Sequence, residues 1–296
     1  MPQTVRSPET IAAMPRYRSI RLAAALLFAG LLSPTIAQAD SRNVLPPPSP
    51  PGYADLADLA DSTPLVIRAQ IRKLVAVEPA RAHGVRPGWA RAYVEARTES
   101  LIGGNRAIGE QLRYLVDLKT DAKGKLPALK KKSVVLFARP VEGRPGEVQL
   151  VAPDAQLPWD PALDARLRAL LAEFYAPGAP QKITGVREAL HVSGSLAGQG
   201  ETQLFLATAS GDPAAITVTR APGSAPRFSA SFSEVVSDSA GLPPAATLAW
   251  YRLACFLPSQ LPASANIGAS DADRAAAAAD YRAVIEQLGP CLRQRR

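Results

Sequence analysis

The chain has 296 residues, of which 47% are hydrophobic, and a formal net charge of +8 at pH 7. This hydrophobic fraction is that of an ordinary globular protein. The sequence isoelectric point of about 9.7 is typical of nucleic-acid-binding proteins, but residues 1–39 contribute four arginines against one glutamate. Without them 257 residues remain with a net charge of +5, enough chain for one large core or two small ones. The composition therefore does not predict a specific nucleic-acid partner.

Residues 1–39 have the layout of a secretory signal peptide. Three arginines between positions 16 and 21 precede the uncharged apolar run Leu22–Leu32, and small residues follow at Ala37 and Ala39. The run has 11 residues, whereas a helix needs about 20 to cross a bilayer. We therefore expect cleavage after Ala39, no transmembrane anchor in the mature protein, and a periplasmic or secreted location. Met14 directly precedes the arginines and is the expected translation start.

Residues 40–52 are expected to form a proline-rich linker. Five of the six residues from Pro46 to Pro51 are prolines, which restrict the backbone to an extended polyproline II form. The linker would separate the cleavage site from the folded part of the chain. A recognition motif for an aromatic groove is the alternative function of such a segment.

Residues 53–176 are predicted to be a first domain with short strands between two helices. The first helix covers Tyr53–Asp61, and the last has Asp160 as its cap and Pro161 at its first position. Alternating apolar residues predict strands, and the break in alternation at Arg72 and Lys73 indicates a β-bulge. The five predicted strands are Leu65–Val77, Trp89–Leu101, Glu110–Lys119, Val134–Ala138 and Glu147–Val151.

This order of one helix, a bulged strand and four short strands over residues 53–152 resembles the small OB-like barrels of bacterial exported proteins. The whole chain is similar to uncharacterised exported proteins of alphaproteobacteria. The first resemblance implies a five-stranded antiparallel barrel; such barrels often bind oligosaccharides or oligonucleotides on one face, but many bind nothing there. The second implies no known activity, and a fold by itself does not determine function.

Residues 177–296 are predicted to form a second, α+β domain, so the whole chain is expected to be α+β and β-rich. Short turns between short strands indicate a four-stranded antiparallel meander. C-terminal helices over Thr247–Leu257 and from the cap Ser270 to Leu288 would pack on it. The four predicted strands are Lys182–Val192, Thr202–Thr208, Ala215–Arg220 and Arg227–Val236.

The only two cysteines, Cys255 and Cys291, are expected to form a disulfide. An even cysteine count in an exported protein favours pairing. Two buried free thiols are the alternative. A disulfide would attach the last helix to the apolar helix that precedes it.

Six of the eight lysines lie within 14 positions, a segment that we call the lysine loop. With only Asp121 opposing them, they could bind an anionic glycan, lipid or polyanion. The alternative is a solvated loop that protects sheet edges. The loop has no aromatic residue for base stacking. Its lysines are Lys119, Lys123, Lys125, Lys130, Lys131 and Lys132. Together with Arg91, Tyr93 and Arg97 on one face of the second strand, they form the predicted contact surface.

A second candidate site lies around His191. Glu188 and Ser193 are close to it in sequence, which suggests a hydrolase with a nucleophile and a base. Turn residues explain the segment equally well. No metal or cofactor is predicted, because the two histidines are far apart and no nucleotide motif is present. We therefore expect an exported, non-enzymatic binding or accessory protein of the cell envelope, with a hydrolase as the alternative.

Overall fold

A computed structural model describes residues 50–233 and 241–295. The predicted signal peptide and most of the proline-rich linker lie outside the described residues, as do the last three residues of the strand predicted to end at Val236. All described residues belong to one compact unit. None of the described helices combines the length and the hydrophobicity that crossing a membrane requires.

The first half of the unit contains two helices and six strands. Helix α1 covers Tyr53–Asp61 and helix α2 covers Pro161–Phe174. Asp160 caps α2 as predicted, since its carboxylate accepts a hydrogen bond of 2.9 Å from the backbone nitrogen of Leu163. The strands are β1 (Leu65–Ala76), β2 (Trp89–Gly104), β3 (Gln111–Lys119), β4 (Ser133–Pro140), β5 (Val148–Leu150) and β6 (Gln156–Pro158).

These strands form one antiparallel sheet in the order β3-β2-β1-β4-β5, with β6 also paired to β4. The predicted bulge is confirmed: Ile71 pairs with Ala96, whereas Lys73 pairs with the adjacent Glu95. The continuously apolar β4 is buried on both faces, with Val134 to Ala138 at most 2% exposed.

The prediction of a closed five-stranded barrel is wrong. Between β3 and β5 there is an isolated parallel bridge from Arg113 to Glu147 instead of a ladder. Two backbone nitrogens of β3 also reach across, Arg113 to the carbonyl of Gly146 at 2.8 Å and Asp117 to that of Pro153 at 2.7 Å. The physical reason is length, because the three residues of β5 cannot pair along the nine of β3. The sheet curves round but stays open at this seam.

The second half contains a four-stranded antiparallel meander, as predicted, with strands paired in chain order. Its strands are β7 (Ile183–Ser193), β8 (Gly200–Thr208), β9 (Ala214–Arg220) and β10 (Arg227–Ser231). Helix α4 (Asp271–Leu288) packs against β7 and β8, while helix α3 (Leu248–Ala254) contacts α1, α2 and α4. The buried apolar side chains of both halves form one continuous core.

The C-terminal tail connects the two halves. Cys255 and Cys291 form the predicted disulfide, with a Cα–Cα distance of 5.1 Å. Beyond it the chain crosses α1, where the backbone nitrogens of Gln294 and Arg295 each donate to the Asp55 carboxylate at 2.9 Å. Asp55 is only 1% exposed, so these bonds satisfy a buried charge.

Candidate ligand-binding groove

The outward face of β2 and β3 carries the charged and exposed side chains of this hairpin. Side chains alternate along each strand, and Ala92, Val94, Leu112, Tyr114 and Val116 point into the core. Their neighbours therefore point outward in directly opposed pairs. From one end to the other these pairs are Trp89 with Lys119, Arg91 with Asp117, Tyr93 with Leu115, Glu95 with Arg113, and Arg97 with Gln111.

A cavity of about 620 Å³ lies at the open seam between β3 and β5. Most of its wall is apolar, including Val141, Val151 and Pro153. Leu115 also lines it, and this leucine is 50% exposed although it lies in the middle of a strand. Beneath the cavity, the Tyr114 hydroxyl donates to Gln156 at 2.6 Å, and burial raises the pKa of Tyr114 well above its usual range.

A second cavity, of about 720 Å³, continues along the same face. Its lining is mostly polar and includes Arg72, Arg97 and Glu110. Tyr93 and Arg113 line both cavities, so the two are adjacent on this face, and we refer to them together as the outer groove. The volume of each cavity is in the range of small-molecule binding sites.

Six arginines and four carboxylates line the outer groove. Some of these charges are paired: Glu147 lies 3.4 Å from Arg144 and 3.9 Å from Arg113. For Arg97 and Arg139, both exposed, the described part of the chain offers no carboxylate within salt-bridge distance. The outer groove therefore has a positive surplus that is accessible to a ligand.

Arg91, a predicted contact residue, is already neutralised. Its guanidinium donates to both Asp117 carboxylate oxygens, at 2.7 and 2.9 Å, and a further nitrogen donates to the carbonyl of His83 at 3.3 Å. The hydrogen bond to Asp117 raises the pKa of Arg91 above its usual value. Arg97 lies six positions further along the same strand, about 20 Å away. Of the two predicted arginines, only Arg97 faces the outer groove as a free charge.

The lysine loop does not line the outer groove. Its six lysines are exposed, and within the described chain none has a carboxylate at salt-bridge distance. The loop is ordered by Asp121, whose carboxylate accepts the backbone nitrogens of Lys123 and Lys125 at 2.8 Å each. Its far end is fixed to β1, where the backbone of Lys131 donates to Ile71 at 2.8 Å.

The lysines also do not converge on one point. Ile71 is level with Ala96 and Leu112 across the sheet, and Lys119 is seven residues further along β3 than Leu112. The two ends of the loop are therefore separated by about 23 Å of strand. Lys119 and Lys131 therefore do not lie side by side.

Sequence reasoning missed Arg113, Leu115, Arg139 and Arg144. The sequence pattern could have indicated Arg113 and Leu115, because both alternate with the buried residues of β3. A leucine between charged residues on the same face of a strand is also unusual. No sequence pattern indicated Arg139 and Arg144, since only the approach of β4 and β5 to β3 brings them to the groove.

The residues of the hydrolase alternative do not come together. Glu188 points to the opposite face of the sheet from His191, because three positions of regular strand separate them. His191 shares a 2.8 Å hydrogen bond through Nδ1 with Thr202, whose hydroxyl donates to Asp280. The Ser193 hydroxyl donates to Asp273 at 3.4 Å instead of contacting the imidazole.

The His191 cluster is buried and closed. Asp280 and Thr202 are fully buried, His191 is 8% exposed, and Arg220 pairs with Asp280. A buried carboxylate needs such partners. Across residues 50–233 and 241–295, no group of three or more histidine, cysteine, aspartate or glutamate side chains is arranged to hold a metal ion.

Compared with known proteins, the chain matches no family model and no curated protein.

Proposed function

We propose that this chain is an exported, non-enzymatic binding or accessory protein of the cell envelope that holds an anionic ligand in the outer groove. The observation that carries the proposal is the pair Arg97 and Arg139, two exposed guanidinium groups in one groove without carboxylate partners among the described residues. A free arginine presents several donors in a fixed fork that suits carboxylate and phosphate groups. The surrounding lysines would add attraction at longer range.

Two further features support the proposal, one for the groove and one for export. The strand order β3-β2-β1-β4-β5, with an isolated bridge between β3 and β5, resembles an opened OB-like sheet, and in such folds the face of strands 2 and 3 is the usual ligand surface. The disulfide between Cys255 and Cys291 agrees with an oxidising compartment such as the periplasm.

The binding proposal is tested by changing Arg97 and Arg139 to alanine, singly and together. Isothermal titration with octyl phosphate and with an oligomer of galacturonic acid would measure the affinity. We expect each change to weaken binding by about 1 kcal/mol, or roughly fivefold, and added salt to weaken it in the parent protein. Arg282→Ala, which removes an exposed arginine on α4, is the matched control. Equal affinities for all variants would contradict the proposal.

Export is tested separately by the mature N-terminus. N-terminal sequencing of protein recovered from the periplasmic fraction or the medium should begin at Asp40. Protein retained in the cytoplasm with residues 16–39 intact would contradict export without bearing on the outer groove.

A hydrolase is the second candidate, and one observation favours it. His191 is oriented through Nδ1 by Thr202 and Asp280, which resembles the way a general base is held. Hydrolysis of envelope esters or glycans that is lost in His191→Ala but retained in Arg97→Ala would support it. Unchanged activity in His191→Ala would remove it.

A further inference from the structure

The two cavities of the outer groove differ in the polarity of their linings. The lining of the cavity at the seam is mainly apolar, with the exposed Leu115 and the partly buried Val141 and Val151, although charged side chains also line it. The second cavity instead presents Arg72, Arg97 and Glu110. Arg113 lines both and is half-exposed, so a charged group stands at the boundary between an apolar and a polar region.

This separation constrains the ligand. Single exposed apolar side chains are normal on a protein surface, but several that converge in a concave site indicate a binding region. A polar glycan chain would leave its hydroxyl groups against Leu115, Val141 and Val151 without partners, which costs free energy. A purely apolar ligand would leave Arg113 and Arg139 without a counter-charge from the ligand.

We propose that the ligand is an amphiphilic anion, whose apolar chain or ring lies in the cavity at the seam and whose phosphate, sulfate or carboxylate group lies at Arg113. This rests on the proposed function, since both concern the outer groove. Arg139 and Arg144 line the same cavity and are placed to contact the anionic group as well. Arg97 is the diagonal neighbour of Arg113 across β2 and β3, within reach of the same group. The charge complementarity selects the anion, and the apolar wall selects its chain.

The test uses the purified full chain and a series of butyl, hexyl and octyl phosphate below their micelle concentrations. Affinity should rise about two- to fourfold per methylene until the cavity is filled, because each buried methylene contributes up to about 0.8 kcal/mol. Octyl glucoside, with the same chain but no charge, should bind at least about tenfold more weakly than octyl phosphate. Phenyl phosphate distinguishes a site shaped for a flat ring from one shaped for an acyl chain.

Two leucine variants test whether the dependence of affinity on chain length arises in the cavity at the seam. Leu115→Gln preserves side-chain length at an exposed position and should flatten the dependence of affinity on chain length. Leu196→Gln, at an exposed leucine in the β7–β8 turn, is the matched control and should leave the series unchanged.

The outcomes separate the two proposals. A flat series together with tight binding of the galacturonic acid oligomer would overturn the amphiphile and leave the anion-binding function standing. Equal affinity for octyl phosphate and octyl glucoside, or no binding of any anionic probe, would overturn both.

Discussion

Arg91 and Asp117 lie directly opposite each other on β2 and β3 and are joined by two hydrogen bonds, of 2.7 and 2.9 Å. Asp117 is 5% exposed, so its charge depends on this partner. The pair explains why Arg91 belongs to the framework of the outer groove, whereas Arg97 on the same strand is free to contact a ligand.

The two arginines should therefore respond differently to truncation. Arg91→Ala leaves the buried Asp117 carboxylate without its main donor, and we expect the free energy of unfolding to fall by about 2–3 kcal/mol. Arg97→Ala, at an exposed position, should change it by less than about 0.5 kcal/mol. Urea unfolding followed by circular dichroism measures both, and equal losses would show that the Asp117 pair does not stabilise the hairpin.

Removal of the disulfide should lower stability substantially. The bond closes a loop of 36 positions, for which the chain-entropy model gives about 3–4 kcal/mol. The double variant Cys255→Ser and Cys291→Ser should lose this amount in urea unfolding and should not respond to reductant. The parent protein in reductant is the control, and it should lose a similar amount.

Gly200 should not tolerate a side chain. A Cβ atom at this position would lie 2.7 Å from Cε1 and 2.8 Å from Nε2 of His191, so the imidazole would have to move away from Thr202. We expect Gly200→Ala to destabilise the protein by about 1–3 kcal/mol.

Gly185→Ala is the control for that change, since Gly185 lies on the neighbouring β7 and no described atom comes within 4 Å of the position that its Cβ would occupy. The Gly185→Ala change should leave the free energy of unfolding nearly unchanged. The added variant His191→Ala should recover part of the loss caused by Gly200→Ala, because it removes the clashing ring. Absence of any recovery would place the strain elsewhere.

Asp164 should contribute to the loss of folding stability at low pH. Arg168 donates a hydrogen bond to its carboxylate at 2.7 Å and, with a smaller effect from Trp159, lowers the pKa of Asp164 in the folded protein. Since the folded pKa lies below the unfolded value of about 3.9, the stabilisation is present above that value and is lost as the pH falls through the folded pKa.

The measurement is the free energy of unfolding between pH 5 and pH 2 for the parent and for Asp164→Asn. At pH 5 the two proteins should differ in free energy of unfolding by less than about 1 kcal/mol, because the pair is partly solvated. This difference should shrink as the pH falls. Glu142→Gln, an exposed carboxylate in the β4–β5 turn, is the control. A difference that grows toward low pH would contradict the assignment.

The outward face of β2 could be read from the sequence because strand alternation is a local property. Arg91, Tyr93 and Arg97 fall on one face whatever the rest of the chain does. The bulge at Arg72, the cap at Asp160 and the disulfide were predictable from equally simple evidence, since bulges and caps depend on neighbouring residues and only two cysteines were present.

The sequence by itself therefore determined the α+β class, most strand and helix positions, and which side chains of β2 point outward. Only the tertiary structure decided that Asp117 neutralises Arg91, that β5 is too short to close the sheet, and that Arg139 reaches the same groove as Arg97. The physical reason is that ion pairing and cavity formation depend on residues brought together from distant parts of the chain, whereas periodicity depends on immediate neighbours.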